Sequence, residues 1–353
     1  MYEVGYHNPV IQEDLATISS SKALDWNRFN GKTVLITGSY GMLASYLVYL
    51  MCYLNDSCGI AVNIVACGRS LDKAKKRFGS LLEKEYFTFL EMSAEDVLGD
   101  DVPHADFVIH AASPASGQYY DLIPVDIFTT NVLGAIRTLD FARRCKSERY
   151  LLVSSGEVYG VVEGDALLEG RYGSLDPTSV RSCYGEGKRG AECLLSCYGK
   201  QYGVSGSSVR PSHTYGPTMD IANDQRVFSS FVANVLNHSD IVLKSDGTAL
   251  RSFCYIADAT LAYVKVLLDG EPSTAYNVAC AKGTISIRDL AEGLANQYGL
   301  DAVFAQRSES YLENSFKLQP QMKVDRLAGL GISCNTLPQE GFSRTIRAFQ
   351  EGI

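Results

Sequence analysis

The chain has 353 residues, of which 46% are hydrophobic and 20% charged, and carries a formal net charge of −8. That length suits one large domain or two intimately joined ones, and the composition excludes a disordered chain. The acidic balance argues against a general surface for nucleic acid or anionic membrane, while leaving room for a local basic pocket.

The first residues, "MYEVGYHNPVIQEDLATISSS", are mixed and polar, so no secretory signal is expected and residues 1–30 read as an N-terminal extension. From Gly31 strand and helix patterns alternate. "KTVLITG" is a short β-branched run ending in glycine, and a helix is predicted over 42–54. Its apolar stretch "LASYLVYLMCYL" is too short to span a bilayer and fits a helix buried between a sheet and other elements. "VNIVACG", a basic helical segment "LDKAKKRFGSLL", "YFTFLEM" and "ADFVIHAAS" follow, then a helix near 125–145, "RYLLVSS", a helix near 183–202 and "VSGSSVRP".

This alternation predicts an α/β fold over 31–204, a Rossmann-type doubly wound parallel sheet with helices on both faces. Strands buried on both sides should be continuously apolar, as "FVIHAA" and "YLLVSS" are. Residues 205–353 are expected to form mainly a smaller C-terminal substrate-binding lobe, interleaved with elements of the first domain at about 251–280. That lobe would close over the C-terminal edge of the sheet, where open α/β folds bind ligands. The ten cysteines contain no C-x-x-C pair and read as reduced cytosolic thiols in buried positions. No clustered Cys/His arrangement implies a metal.

"TGSYGMLAS" places Gly38, Gly41 and Ala44 between the first strand and its helix. Glycines there let the backbone approach a pyrophosphate, and the helix N-terminus offers unpaired N–H groups. The acidic residue that grips the ribose of NAD belongs about twenty positions later. There the second strand ends in Gly68 and Arg69. Arg69 suits the 2′-phosphate of NADP, stacking on adenine or a solvated loop, so NAD and NADP both stay open. "YGEGK" puts Tyr184 and Lys188 four apart on one helix face. A lysine ammonium beside the phenol is expected to lower it from about 10 toward neutrality. Such a tyrosine can take a proton from a sugar hydroxyl while a nicotinamide takes the hydride.

"TGSYGMLAS", "HAASPAS", "TNVLG", "SSGEVYG", "YGEGK", "RPSHTYGP" and "RSFCYIADA" occur in that order. In them the chain resembles the extended short-chain dehydrogenase/reductase family, the NAD-dependent epimerases and dehydratases, from about Gly31 to the C-terminus. The resemblance implies an NAD cofactor, with NADP not excluded, held by Gly38, Tyr40, Gly41, Met42, Leu43, Arg69, Ala111, Ala112, Ser113 and Asn131 together with Tyr184 and Lys188. Ser155, Tyr184 and Lys188 would be the catalytic hydroxyl, the acid/base tyrosine and its lysine, with Glu157 as a further catalytic group. Ser113, Glu157, His213, Arg226 and Arg251 would meet a nucleotide-sugar substrate, with Tyr119 and Tyr120 near the sugar. A cytoplasmic homodimer pairing the helices near 125–145 and 183–202 is implied as well, with Cys193 and Cys197 as packing groups.

Within that family "HAASPASGQYY", "SSGEVYG" and "RSCYGEGKR" are similar to stretches of the UDP-glucuronate decarboxylases. The implied reaction is oxidation at the sugar C4 followed by loss of CO2, giving UDP-xylose or its 4-keto form, with Glu157 facing C5. A 4-epimerase or a 4,6-dehydratase on another nucleotide sugar is the alternative, and a non-catalytic cofactor sensor a minor one. The dehydratases of this family use an Asp-Glu pair, and Gly156 stands at the aspartate position. Leu318 replaces the arginine expected near the sugar carboxylate, leaving Lys317 beside it.

Overall fold

The computed structural model describes residues 4–115, 117–164, 166–224, 226–243, 245–305 and 321–352. Lys317 and Leu318 lie outside them.

Fourteen strands are described: β1 Lys32–Thr37, β2 Val62–Gly68, β3 Phe87–Glu91, β4 Phe107–His110, β5 Arg149–Val153, β6 Ala166–Leu167, β7 Gly206–Pro211, β8 His213–Tyr215, β9 Ile241–Leu243, β10 Leu250–Tyr255, β11 Ala275–Val278, β12 Thr284–Ser286, β13 Ala302–Phe304 and β14 Gln321–Met322. The α-helices are α1 Pro9–Ser19, α2 Met42–Cys58, α3 Leu71–Phe78, α4 Pro124–Cys145, α5 Cys183–Tyr202, α6 Val227–Leu236, α7 Ile256–Asp269, α8 Ile287–Tyr298, α9 Asp325–Gly329 and α10 Pro338–Glu351.

Seven strands form one sheet in the order β3-β2-β1-β4-β5-β7-β11, every neighbouring pair parallel. The order runs outward from β1 in both directions, so a crevice opens at the carboxyl ends of β1 and β4. Val34, Leu35, Ile36, Phe107, Val108 and Ile109 are fully buried, because helices cover both faces of the sheet. The two positions beyond β5 are filled by β7 and, at the edge, β11, so the sheet draws strands from past residue 204. α2 extends to Cys58, four residues beyond the predicted stop, and Gly59 in the left-handed conformation ends it.

The first thirty residues are not an appendage. α1 buries Val10, Ile11, Leu15 and Ile18 in the main core. Asp14, at 3% exposure, accepts hydrogen bonds from the hydroxyls of Tyr46 (2.7 Å) and Tyr255 (2.7 Å). The same carboxylate pairs with Arg344 at 2.6 Å, which ties α1 to α2, β10 and α10. Burial pushes the Asp14 carboxyl up while Arg344 and the two phenols pull it back.

All ten cysteines are free. Cys58, Cys193 and Cys197 are exposed, which corrects the expectation of uniformly buried thiols. No helix among the described residues is long and apolar enough to cross a membrane.

Replacing Asp14 removes a buried anion and strands two phenols and a guanidinium. Asp14→Ala should therefore cost about 3 kcal/mol in urea unfolding. Asp14→Asn, which keeps hydrogen-bonding capacity toward the phenols, should cost less.

Candidate active site

A cleft of about 1910 Å³ lies at the carboxyl edge of the sheet, between it and the segments beyond β7. Gly38, Tyr40, Gly41, Met42 and Leu43 line one end, where β1 turns into α2. Gly38 has φ +65°, and a Cβ there would meet the Ala112 backbone at 2.7 Å, so only glycine fits. Ala112 thus sits behind the turn, while Ala111 and Ser113 face the cleft. Thr37 fixes this approach: its hydroxyl accepts from the backbone N–H of Ala111 (3.2 Å) and Ala112 (3.3 Å) and meets His110 Nδ1 at 2.9 Å. Burial drives His110 down to about 3, so the ring is neutral. The Ser113 hydroxyl is buried and has no partner among the described residues, as a group awaiting a ligand would be.

Besides Ala112, two expected cofactor residues stand apart from the cleft lining. Asn131 is buried in α4, gives Nδ2 to the Ile127 carbonyl (2.8 Å) and packs against Gly187. Arg69 is exposed at the end of β2 and gives its backbone N–H to the Tyr40 hydroxyl (3.2 Å).

The midpoint of the cleft is built on β5 and α5. Tyr184 and Lys188 project from one face of α5, and the Lys188 ammonium lies 5.8 Å from the centre of the Tyr184 ring. Lys188 donates to the Val153 carbonyl at 2.8 Å. One turn along, Glu192 accepts from the Ser154 hydroxyl (2.6 Å) and pairs with the buried Arg210 at 2.6 and 3.0 Å. Ser155, next on the strand end, accepts from the Glu157 N–H at 3.1 Å and opens the short 3₁₀ turn Gly156–Tyr159.

The Tyr184 phenol does not move toward neutrality. Burial pushes it up to about 12, and the Ser155 hydroxyl, hydrogen-bonded to it, only partly opposes this. Burial likewise drives the Lys188 ammonium down to about 7, with Glu192 pulling it back up.

Glu157 and Tyr120 line the far end of the cleft with a residue the sequence reading passed over, Arg181. Arg181 pairs with Glu157 at 3.3 Å and lies 4.4 Å over the Tyr120 ring. Tyr120 in turn stacks on Tyr184, 5.5 Å between centres and 20° between planes. Arg181 stands three residues before Tyr184 in a motif already singled out, so its position was readable although its partners were not. Tyr119 also lines the cleft.

His213 and Arg226 border the cleft, and Arg226 is bound to Asp224 at 2.5 Å. Burial, then Arg251 and Arg226, hold His213 down at about 4, so it is a neutral hydrogen-bonding group. Arg251 stands on β10 and gives Nη1 to the Leu250 carbonyl at 2.8 Å. Among the described residues no group of three His, Cys, Asp or Glu side chains could hold a metal ion.

The profile of the NAD dependent epimerase/dehydratase family matches residues 34–279. A UDP-glucuronic acid decarboxylase of Arabidopsis thaliana is 34% identical over 259 residues, 73% of this chain and 72% of that protein. The fold matches that of a dTDP-glucose 4,6-dehydratase from Streptomyces venezuelae with NAD and TYD bound, with a TM-score of 0.75 at 20% identity, covering 90% of this chain and 97% of that one. It also matches a UDP-glucuronic acid 4-epimerase from Bacillus cereus in complex with NAD, with a TM-score of 0.71 at 22% identity, covering 91% and 99%. The chain belongs to the NAD dependent epimerase/dehydratase family, as its sequence motifs imply.

The buried lysine leaves a thermodynamic signature. Between about 7 and its ordinary 10.5 the unfolded chain holds the Lys188 proton and the folded chain releases it. Stability should therefore rise with pH across that window. Lys188→Met should flatten this slope and be at least as stable as the native chain at pH 7, as read from urea midpoints between pH 7 and 10.

Proposed function

We propose that this member of the family is a nucleotide-sugar decarboxylase, acting on UDP-glucuronate through oxidation at the sugar C4 to give UDP-xylose or its 4-keto form. The observation that carries the reading is the Arg181–Glu157 pair beside Ser155, Tyr184 and Lys188, one cation and one carboxylate at the sugar end of the cleft.

A nicotinamide dinucleotide fits the turn around Gly38, where a side chain is excluded and the Ser113 hydroxyl lacks a partner. When bound, it would supply a reversible hydride acceptor and a positive ring that favours the Tyr184 phenolate. Tyr184 as phenolate takes the C4 hydroxyl proton and keeps it for return. Ser155 donates to the C4 oxygen, where negative charge gathers. With C4 a ketone, the C6 carboxylate is β to a carbonyl. The C5–C6 bond breaks, CO2 leaves, and the electron pair passes into the C4 enolate. Arg181 holds the substrate carboxylate by exchanging Glu157 for it. Glu157, released, orders the water that returns a proton to C5.

This assignment answers the missing arginine at Leu318 with a cation from another element. Dehydration is disfavoured because Gly156 carries no carboxyl and is closely backed by another side chain. A Cβ there would come within 2.8 Å of the Met322 methyl, which packs with Val158, Tyr159 and Ala279. A carboxyl-bearing side chain at that position would have to displace the Met322 methyl.

We further propose a homodimer paired through α4 and α5, since Leu122, just before α4, and Val125 and Phe128 in its first turns are exposed apolar groups. Phe128→Glu should give a monomer by light scattering.

Purified protein incubated with UDP-glucuronate and with neutral nucleotide hexoses should release CO2 from the first alone, as followed by product mass. Loss of water from a hexose, or an isomer of unchanged mass, would replace the reading with dehydration or epimerisation. Arg181→Ala should raise the KM for UDP-glucuronate about tenfold or more. Glu157→Gln should act mainly on kcat.

A further inference from the structure

We infer that a second cavity, behind the turn that carries Ser155 and Glu157, is a site for a small phosphate dianion, free or borne on a hydroxylated metabolite, and that its occupant bears on the catalytic turn through Arg210. Neither the cavity nor its chemistry depends on which reaction the cleft carries out.

The cavity, of about 530 Å³, lies between α5, β7, the start of β11 and α9, and it shares no lining residue with the cleft. Its residues from α5, Arg189, Glu192 and Ser196, leave the helix on a different flank from Gly187 and Gly190, which meet Asn131 and Val132 of α4. Three guanidinium groups line it, those of Arg189, Arg210 and Arg326, against one carboxylate among the described residues, that of Glu192. Two neighbouring acids are engaged outside the lining. Glu186 pairs with Arg189 at 3.5 Å, and Glu169 takes the Asn277 N–H at 3.1 Å. Arg210 is 1% exposed and gives Nε and Nη2 to Glu192, and Nη1 to the Tyr159 hydroxyl (3.1 Å) and the Glu169 carbonyl (3.2 Å). That leaves one N–H of its Nη2 uncommitted among the described residues. Arg326 is exposed, and Nη1 gives to the Ala275 carbonyl at 3.0 Å.

Ser208 of β7 points the same way. It is 3% exposed and lines the cavity, yet its hydroxyl makes no hydrogen bond among the described residues. A buried hydroxyl normally has a partner, so one at a cavity beside guanidinium groups suits an acceptor brought from outside. A phosphate dianion would take charge-assisted bonds from Arg326 and Arg210 and accept from Ser208, with further hydroxyls at Ser196, Ser273 and Thr274 for a polyol. The same arginines hold the catalytic turn from behind. Arg189 gives to the carbonyls of Val158 (2.7 Å), Tyr159 (3.3 Å) and Gly173 (2.8 Å). Glu192, the partner of Arg210, takes the Ser154 hydroxyl at 2.6 Å, one residue before Ser155. An anion that draws on Arg210 competes with Glu192 for it and so loosens the grip on Ser154.

Calorimetric titration of the full chain with inorganic phosphate, against chloride at equal ionic strength, should show saturable binding. Arg326→Gln should weaken it about tenfold, and Ser208→Ala by less. Glucose 1-phosphate as a second titrant separates the two sources: tighter binding assigns the cavity to a phosphate ester, equal binding to free phosphate. Hydrogen exchange read by mass spectrometry should show peptides covering 154–160 exchanging faster in phosphate than in chloride, and Arg326→Gln should abolish that difference. Circular dichroism of each variant separates loss of fold from loss of the anion contact. No phosphate binding would overturn the inference. The same affinity in Arg326→Gln would overturn it too, by placing the anion elsewhere, the cleft included. Binding that leaves exchange at 154–160 unchanged would overturn the link to the catalytic turn.

Discussion

Lys188 and Glu192 lie one turn apart on α5 and reach two consecutive positions of the end of β5. The lysine grips the Val153 carbonyl, and the glutamate takes the Ser154 hydroxyl while holding the buried Arg210. These bonds sew a helix to a strand end at the one place where a small shift would separate Ser155 from Tyr184. They also set the electrostatics. A buried ammonium is costly, and Glu192 is what returns part of that cost, so the network that positions Ser155 also sustains the charge beside Tyr184. Breaking it at Glu192 would leave Arg210 buried without its partner, which couples site geometry to fold stability.

On the other side of Tyr184 the arrangement is looser. Arg181 and Glu157 retain 47% and 39% side-chain exposure, and their ion pair is accordingly worth little in itself. A weak, exposed pair beside a rigid, buried one suits a site in which the reacting end is fixed and the substrate end can exchange partners. The stack from Arg181 through Tyr120 to Tyr184 joins the two halves, so a ligand that draws on Arg181 also bears on the face of the phenol's ring.

The parallel sheet was legible because strands buried on both faces must be continuously apolar, and β1, β4 and β5 are. The cleft's turn was legible because Gly38 has no alternative. α1 was not. Its Asp14, Glu13 and Gln12 give a polar pattern suited to solvent, and nothing local shows that Tyr46, Tyr255 and Arg344 converge on Asp14 from distant positions. The Tyr184 phenol misled for a related reason. Four-residue spacing places the lysine near the ring but does not report that burial raises the phenol and lowers the lysine at the same time. Arg181 escaped because a long side chain's partner is set by tertiary folding rather than by spacing.

Gly68 and Gly156 make the remaining point together. Each stands where the sequence alone leads one to expect an acid, and each is backed by a side chain from elsewhere, Tyr40 in one case and Met322 in the other. An acid restored at Gly68 alone would meet the Tyr40 ring, and one at Gly156 would meet an apolar cluster around Met322. The absences are therefore packed in, and reversing either needs at least two coordinated changes. That makes the charge pattern of the cleft a property of its surrounding shell as much as of its lining. Lys73 and Lys76 of α3 line one end of the cleft, and the exposed ion pair of Arg181 with Glu157 lines the other.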